Sequence, residues 1–226
     1  MKIDILTLFP EAFSALDASI LGRAKENGLL EFNIVNIRDF SKDKHKKCDD
    51  YPFGGGAGML MTVQPLFDAI NSVYEKGAKI IFPAPTGKVL SAKKAEQLSK
   101  NDHLIFVCGH YEGVDERIFE LFDIEQISIG DYVLTGGEIP TMVIIDCLSR
   151  FVDGVITKDS LIDESFSNGL LEYPQYTRPQ NFMGLEVPEV LVSGNHQQVD
   201  KWRHEQSIKR TKEVRGDLLN NTQDDV

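Results

Sequence analysis

The chain has little cysteine, a single tryptophan and no long apolar run. Its three cysteines, Cys48, Cys108 and Cys147, are odd in number and contain no C-x-x-C pair. That spacing excludes a disulfide framework or a zinc knuckle and suits a reducing cytoplasm. No uncharged apolar stretch reaches the roughly 18 to 20 residues of a membrane span. Asp4 and Glu11 stand where a secretion signal would be apolar, so a soluble, unexported protein is expected. There is no internal repeat, no G-x-G-x-x-G opening a helix and no G-x-x-x-x-G-K-[ST], which removes the dinucleotide and P-loop readings. Positive charge is scarce as well: 24 Lys and Arg against 35 Asp and Glu leave a net charge of −11 over 226 residues.

The average conceals three regions of different sign. Arg38–Lys47 holds five Lys or Arg and two Asp, and Lys201–Arg215 holds six and two Glu, so the segments carry +3 and +4. Gly109–Glu138 carries eight acids and one Arg, a net of −7. Two basic segments flanking an acidic middle are compatible with phosphate contacts around a site that handles a proton or a cation, and equally with solvated helix faces.

What is present is an alternation of strand and helix patterns. Lys2–Leu8 and Phe32–Ile37 alternate apolar and polar residues; Lys79–Phe82 and His103–Cys108 are short, nearly continuous apolar strands. Between them, Val63–Tyr74 repeats apolar residues at helical spacing, Ser91–Leu98 opens on a serine cap, and Glu138–Phe151 reads as a buried helix. The pattern predicts an α/β fold with a mostly parallel sheet flanked by helices. Thr157–Gly169 breaks it with Ser, Asp, Glu and Asn, and beyond it one strong helix, Val199–Val214, dominates. Three parts are expected: a larger α/β domain over 1–155, which the resemblance described below makes the catalytic one, a linker over 156–169 that the same resemblance makes a lid, and a small, mainly helical domain over 170–226.

Three glycine-bearing loops come after predicted strands, where open parallel sheets bind ligands. They are Pro83–Gly87, Cys108–Gly113 and Ile129–Glu138. Each alone also reads as a tight turn. A fourth loop, Pro52–Met59, has four glycines in five positions and reads either as a segment closing over substrate or as a connector. Glu112, Asp131, Glu138, Asp163 and Glu164 are loop carboxylates with capping or surface roles open to them, or that of a general base. Arg150 ends the buried helix, as a terminal charge or as a donor to developing negative charge. His45, His103, His110, His196 and His204 lack metal-ligand spacing, and His103 is expected to be structural.

Leu8-Phe9-Pro10, Gly54–Met59, Val107–Arg117, Ile129–Leu134, Ser149-Arg150-Phe151, Gly169–Leu171, Tyr176–Pro179 and Ser193–His196 occur in this order, and together the chain resembles the bacterial tRNA (guanine-N1)-methyltransferases that modify guanosine at position 37. The resemblance runs from residue 1 to about 215. It implies the deep trefoil-knotted fold of the SPOUT methyltransferases, which topology rules would exclude by default. It also implies a homodimer with the active site at the subunit interface and tRNA as partner, with no membrane role.

By the same resemblance, S-adenosylmethionine is the methyl donor. Its pocket is expected at Ala84, Pro85 and Gly87, at Gly109, Tyr111 and Glu112, at Ile129, Gly130, Asp131, Tyr132, Val133 and Leu134, and at Gly136 and Gly137. The general base maps onto Glu164, where the family more usually has Asp, with Asp163 the candidate if the register slips by one. Arg150 is expected to donate to guanine O6, and Glu112 to be associated with Mg²⁺. Gly55, Gly58 and Met59, with Ser165, are expected to face substrate, and Lys201, Arg203, Lys209 and Arg210 to meet tRNA. His110 stands where an Arg is usual, Thr86 where a Gln is, and Gln175 where some members have His. The alternatives are a knotted methyltransferase acting on ribose 2′-OH, which has no need of a base at 164, and a non-catalytic RNA-binding relative.

Overall fold

A computed structural model describes residues 1–157 and 164–220 and divides the chain into two compact units, Met1–Ile156 and Thr157–Val226. Asp163, the alternative base, lies outside the described residues.

In the first unit, β1 (Lys2–Thr7), β2 (Glu31–Asn36), β5 (Lys79–Val89), β6 (His103–Val107) and β7 (Ile124–Ser128) make one sheet in the order β2-β1-β6-β5-β7. Every pairing is parallel, as the alternation of elements predicted. A two-stranded ribbon pairs β3 (Asp49–Asp50) with β4 (Leu60–Met61). The late strand β6 lies between β1 and β5, both formed earlier in the chain.

The central strands are apolar on both faces because helices cover both. Ile3, Ile5, Leu104 and Phe106 face a core completed by Ala95 and Leu98 of α3 (Ala92–Leu98) and by Ile144, Ile145 and Leu148 of α5 (Glu138–Ser149); α1 (Ser19–Glu26) adds Leu21 and Ala24. Their sequence neighbours Leu6, Ile105 and Val107 face Leu66, Ala69 and Ile70 of α2 (Val63–Val73) and Ile118 of α4 (Arg117–Leu121). Ser91 caps α3 as expected, accepting from the Lys94 amide at 3.2 Å. His103 is structural: its Nε2 lies 2.5 Å from the fully buried Asp4 carboxylate, which also accepts from Asn33 at 2.5 Å.

Two expectations change. The strand that begins at Lys79 does not stop at Phe82 but resumes and ends at Val89, with Pro83 and Lys88 both paired to Ile127. Pro83 and Pro85 lack amide donors, so residues 84–87 leave the ladder as a bulge. The fifth strand, Ile124–Ser128, is signalled in the sequence only by the glycine loop after it and has no periodicity of its own, because its polar positions are half-buried rather than solvated. Glu125 forms ion pairs with Lys79, at 2.6 Å, and with Lys94.

The second unit contains a hairpin of β8 (Asn181–Phe182) and β9 (Leu185–Glu186), α6 (Glu189–Val192), α7 (His196–Val214) and α8 (Asp217–Asn220). The long helix begins earlier than the predicted Val199 because Asn195 caps it, accepting from the Gln198 amide at 3.3 Å. Thr211 on its buried side accepts from the Leu171 amide at 2.8 Å, which fastens the preceding segment to the helix. Residues 164–169, expected to be linker, fold back on residues 170–172: the Phe166 amide donates to Leu170 O at 2.8 Å and the Glu172 amide to Ser165 Oγ at 3.0 Å.

Candidate active site

The bulge after Pro83, the loop after β6 and the loop after β7 meet over the C-terminal ends of their strands and enclose a cleft of about 540 Å³. This is within the size range of pockets that hold nucleoside-sized ligands. Its walls come from residues 82–86, 109–114, 126–130 and 132–137, with Leu60, Phe119 and Pro140 closing the edges.

Glycines in its walls let the loops pack closely on one another. A Cβ on Gly137 would lie 2.7 Å from the amide nitrogen of Gly109 and 2.8 Å from Cys108 Cα, and the Gly137 amide donates to Gly109 O at 2.8 Å. A Cβ on Gly109 would meet the Phe82 ring at 2.6 Å, and one on Gly136 would overlap the His110 imidazole. Phe82 is itself held edge-on by Phe119, with centroids 5.3 Å apart. The loop after β7 is tied by its own polar groups: Ser128 Oγ donates to Gly130 O at 3.0 Å and the Tyr132 hydroxyl to Ile129 O at 3.2 Å.

Of the residues expected around the donor, Ala84, Pro85, Gly109, Tyr111, Glu112, Ile129, Gly130, Tyr132, Val133, Leu134, Gly136 and Gly137 line this cleft. Gly87 and Asp131 do not. Gly87 packs instead on the backbone of Gln126 and Ile127, where a Cβ would not fit, and Asp131 is exposed. Gly58 and Met59 come to the rim: the Glu112 amide donates to Met59 O at 3.0 Å, and a Cβ on Gly58 would overlap the Glu112 side chain. Gly55, at φ +81°, stands in open space away from them.

Spacing gave no sign of a buried chain of three polar side chains beside the cleft. Thr7 Oγ1 donates to Glu138 Oε1 at 2.7 Å, Glu138 Oε2 lies 2.7 Å from His110 Nε2, and the Phe9 amide donates to Thr7 Oγ1 at 2.9 Å. The His110 ring also packs on Phe9, with centroids 4.8 Å apart. Thr7→Val would leave the Phe9 N–H and one Glu138 oxygen without a partner. It is expected to destabilise the first unit by about 1–3 kcal/mol, seen as a lower melting temperature that Thr7→Ser restores. Cys108, at the head of the second loop, is fully buried against Thr141 Oγ1 at 3.3 Å. Burial pushes its thiol far above the ordinary range, which removes it as a nucleophile.

Arg150 closes α5 in the first unit. Glu164 belongs to the second, where it lines a smaller cavity with Tyr173, Arg203 and His204, and where Ser167 Oγ donates to its carbonyl at 2.7 Å. Ser165 is turned to its own chain by the Glu172 bond. Of the four α7 residues expected to meet tRNA, Lys201, Lys209 and Arg210 are exposed, Arg210 also donating to Glu172 O at 3.1 Å, while Arg203 is half-buried over the Tyr173 ring.

A parallel α/β sheet with three loops gathered over the C-terminal ends of its strands defines a ligand-binding protein of the open-sheet α/β class. Similarity to known proteins then specifies the class. The model of the family described as tRNA (Guanine-1)-methyltransferase TrmD matches residues 1–221. Similar proteins named tRNA (guanine-N(1)-)-methyltransferase occur in Ruminiclostridium cellulolyticum, 59% identical over 225 residues and covering 97% of each chain. Others are found in Exiguobacterium sp., 56% identical over 220 residues (97% and 92%), and in Clostridium perfringens, 57% over 221 residues (97% and 93%). The chain belongs to the TrmD family of tRNA (guanine-N1)-methyltransferases.

A methyltransferase of this family implies S-adenosylmethionine as donor. The cleft fits it in size, at about 540 Å³, and in lining: Gly109, Gly136 and Gly137 bring main chain to its surface, and the walls at Phe82, Ile129, Leu134 and Pro140 are apolar. Among the described residues no three His, Cys, Asp or Glu side chains gather as a metal site. No helix of the described residues is long and apolar enough to cross a membrane.

Proposed function

We propose that the chain transfers the methyl group of S-adenosylmethionine to N1 of the guanosine at position 37 of tRNA. The observation that carries the reading is the convergence of the bulge after Pro83 and the two glycine loops on one cleft of about 540 Å³. The backbone at Gly109, Gly136 and Gly137 would hold the donor's nucleoside, with Tyr132, Val133 and Leu134 beside it. Bound there, S-adenosylmethionine would supply an electrophilic sulfonium methyl group, with neutral S-adenosylhomocysteine as the leaving group once the C–S bond breaks.

Guanine N1 carries a proton and is a poor nucleophile until that proton leaves, whereupon negative charge spreads to O6. Glu164 accepts the proton and Arg150 donates to O6. Glutamate in place of aspartate lengthens the reach by about one bond and keeps the chemistry. No step is drawn through Mg²⁺. The reading includes a homodimer with the active site at the subunit interface, to which the exposed Tyr51, Phe53 and Val133 of the first unit lend apolar surface. It also includes a cytoplasmic location, a lid over 156–169 and a deep knot. Support for the knot is that β6 sits between β1 and β5 and that the chain at Gly137 passes against that at Gly109.

Exposed Lys201 and Lys209 are the phosphate contacts on α7. Charge reversal of both is expected to weaken tRNA binding and to reduce the slope of log affinity against log salt by about 2, leaving donor binding unchanged. An unchanged slope would remove them from the interface.

The whole reading is tested by incubating the protein with labelled S-adenosylmethionine and a tRNA transcript carrying guanosine at position 37, or adenosine in its place, and identifying nucleosides by mass spectrometry. 1-Methylguanosine from the first alone is the expected result. A 2′-O-methylated nucleoside, or no product from a dimeric, donor-bound protein, would replace this reading with one of the alternatives.

A further inference from the structure

The cavity of the second unit, about 350 Å³, is bounded by residues 164–173 on one side and α7 on the other. Arg203 dominates its wall. The guanidinium lies over the Tyr173 ring, 4.9 Å from the centroid, and the nearest carboxylate, Asp200, is 3.8 Å away, too far for a hydrogen bond. Its Nε is buried and has no hydrogen-bond partner among the described residues. The group is thus oriented by the ring beneath it while its hydrogen-bonding capacity is largely unspent. A forked donor plane held in this way is pre-organised for a planar acceptor edge.

Glu164 and Asp200 add acceptors to the same cavity. Fixed donors, an aromatic ring and carboxylates match the edges of guanine: O6 and N7 accept from a guanidinium, while N1–H and the exocyclic amine donate to carboxylates. Adenine presents an amine where guanine presents O6, so the same donors would meet a donor.

We propose that Arg203 is a specificity-determining residue, donating to the O6 and N7 edge of the methyl-accepting guanine from a plane set by Tyr173. The assignment rests on the reading of Glu164 as the base, since Glu164 meets N1 from the same cavity. O6 and N7 both accept from the Arg203 guanidinium, and N7 has no other donor in this reading.

The test compares tRNA carrying guanosine at position 37 with tRNA carrying 7-deazaguanosine there, which lacks only the N7 acceptor. For the unsubstituted protein kcat/KM is expected to fall about 10- to 100-fold on the deaza substrate. Arg203→Gln is expected to lose a similar factor on guanosine and nothing further on 7-deazaguanosine, and Tyr173→Phe, which keeps the ring, to resemble the unsubstituted protein. Circular dichroism and donor affinity confirm that each variant is folded. Equal rates on both substrates for the unsubstituted protein would overturn the proposal. So would an Arg203→Gln chain that still discriminates between them. Full activity of Glu164→Gln would instead refute the base assignment, and the deaza comparison would report on Arg203 all the same.

Discussion

Gly137→Ala is expected to lose S-adenosylmethionine binding and a measurable part of the thermal stability of the first unit. The added carbon would sit 2.7 Å from the Gly109 amide nitrogen and 2.8 Å from Cys108 Cα, and main-chain atoms have no rotamer by which to move aside. To admit it, the start of α5 must leave the end of β6, which breaks the 2.8 Å bond from the Gly137 amide to Gly109 O. Overpacking of this kind costs about 1–3 kcal/mol. For a unit of this size that corresponds to a melting temperature lower by roughly 2–12 °C. Because the loop leaving β6 and the loop entering α5 both line the cleft, the shift falls on the ligand site itself. Gly216→Ala is the control, since its nearest contact, Lys212 O at 3.6 Å, is ordinary. Titration calorimetry with donor, beside thermal melts, decides the matter: unchanged affinity in Gly137→Ala would show that the cleft is not the donor site.

The second large effect is expected from Glu164→Gln, which keeps shape and hydrogen-bonding capacity while removing the proton acceptor. A fall in kcat of about 10²- to 10⁴-fold is expected, the usual contribution of a general base. Donor affinity should not change, because every cleft residue belongs to Met1–Ile156. Single-turnover methylation of tRNA isolates the step, and Glu164→Asp should recover most of the rate. If Glu164→Gln retains a third or more of the activity, the base lies elsewhere and Asp163→Asn becomes the informative variant.

Much of the scaffold was legible because strand burial follows from composition. Ile3, Ile5, Ile105 and Val107 alternate between two helical layers, and the sequence around them has no other use for such residues. Strand Ile124–Ser128 was not legible from its own periodicity, since Glu125 is neutralised by lysines that reach it from β5 and α3, and no local pattern records that. The glycine loops could be found from spacing, as glycine clusters where backbone must approach something. What each glycine approaches could not: Gly87 turned out to face Ile127 rather than the cleft. The Thr7–Glu138–His110 chain joins residues up to 131 positions apart, and nothing near Thr7 distinguishes it from any strand threonine. Arg203 looked like one more phosphate contact among the basic residues of α7. Only its position over Tyr173 separates it from Lys201 and Lys209.

A cleft whose innermost surface is main chain also has a consequence for inhibition. A compound that lies on the backbone at Gly109, Gly136 and Gly137 is held by atoms that every residue possesses, so changing a side chain there cannot remove the contact, only add bulk. At these positions the bulk would meet the enzyme's own Phe82 ring, His110 and Cys108 before it met the compound. Resistance through these residues would therefore damage the protein first, leaving the rim, at residues such as Thr86 or Glu112, as the less costly route of escape.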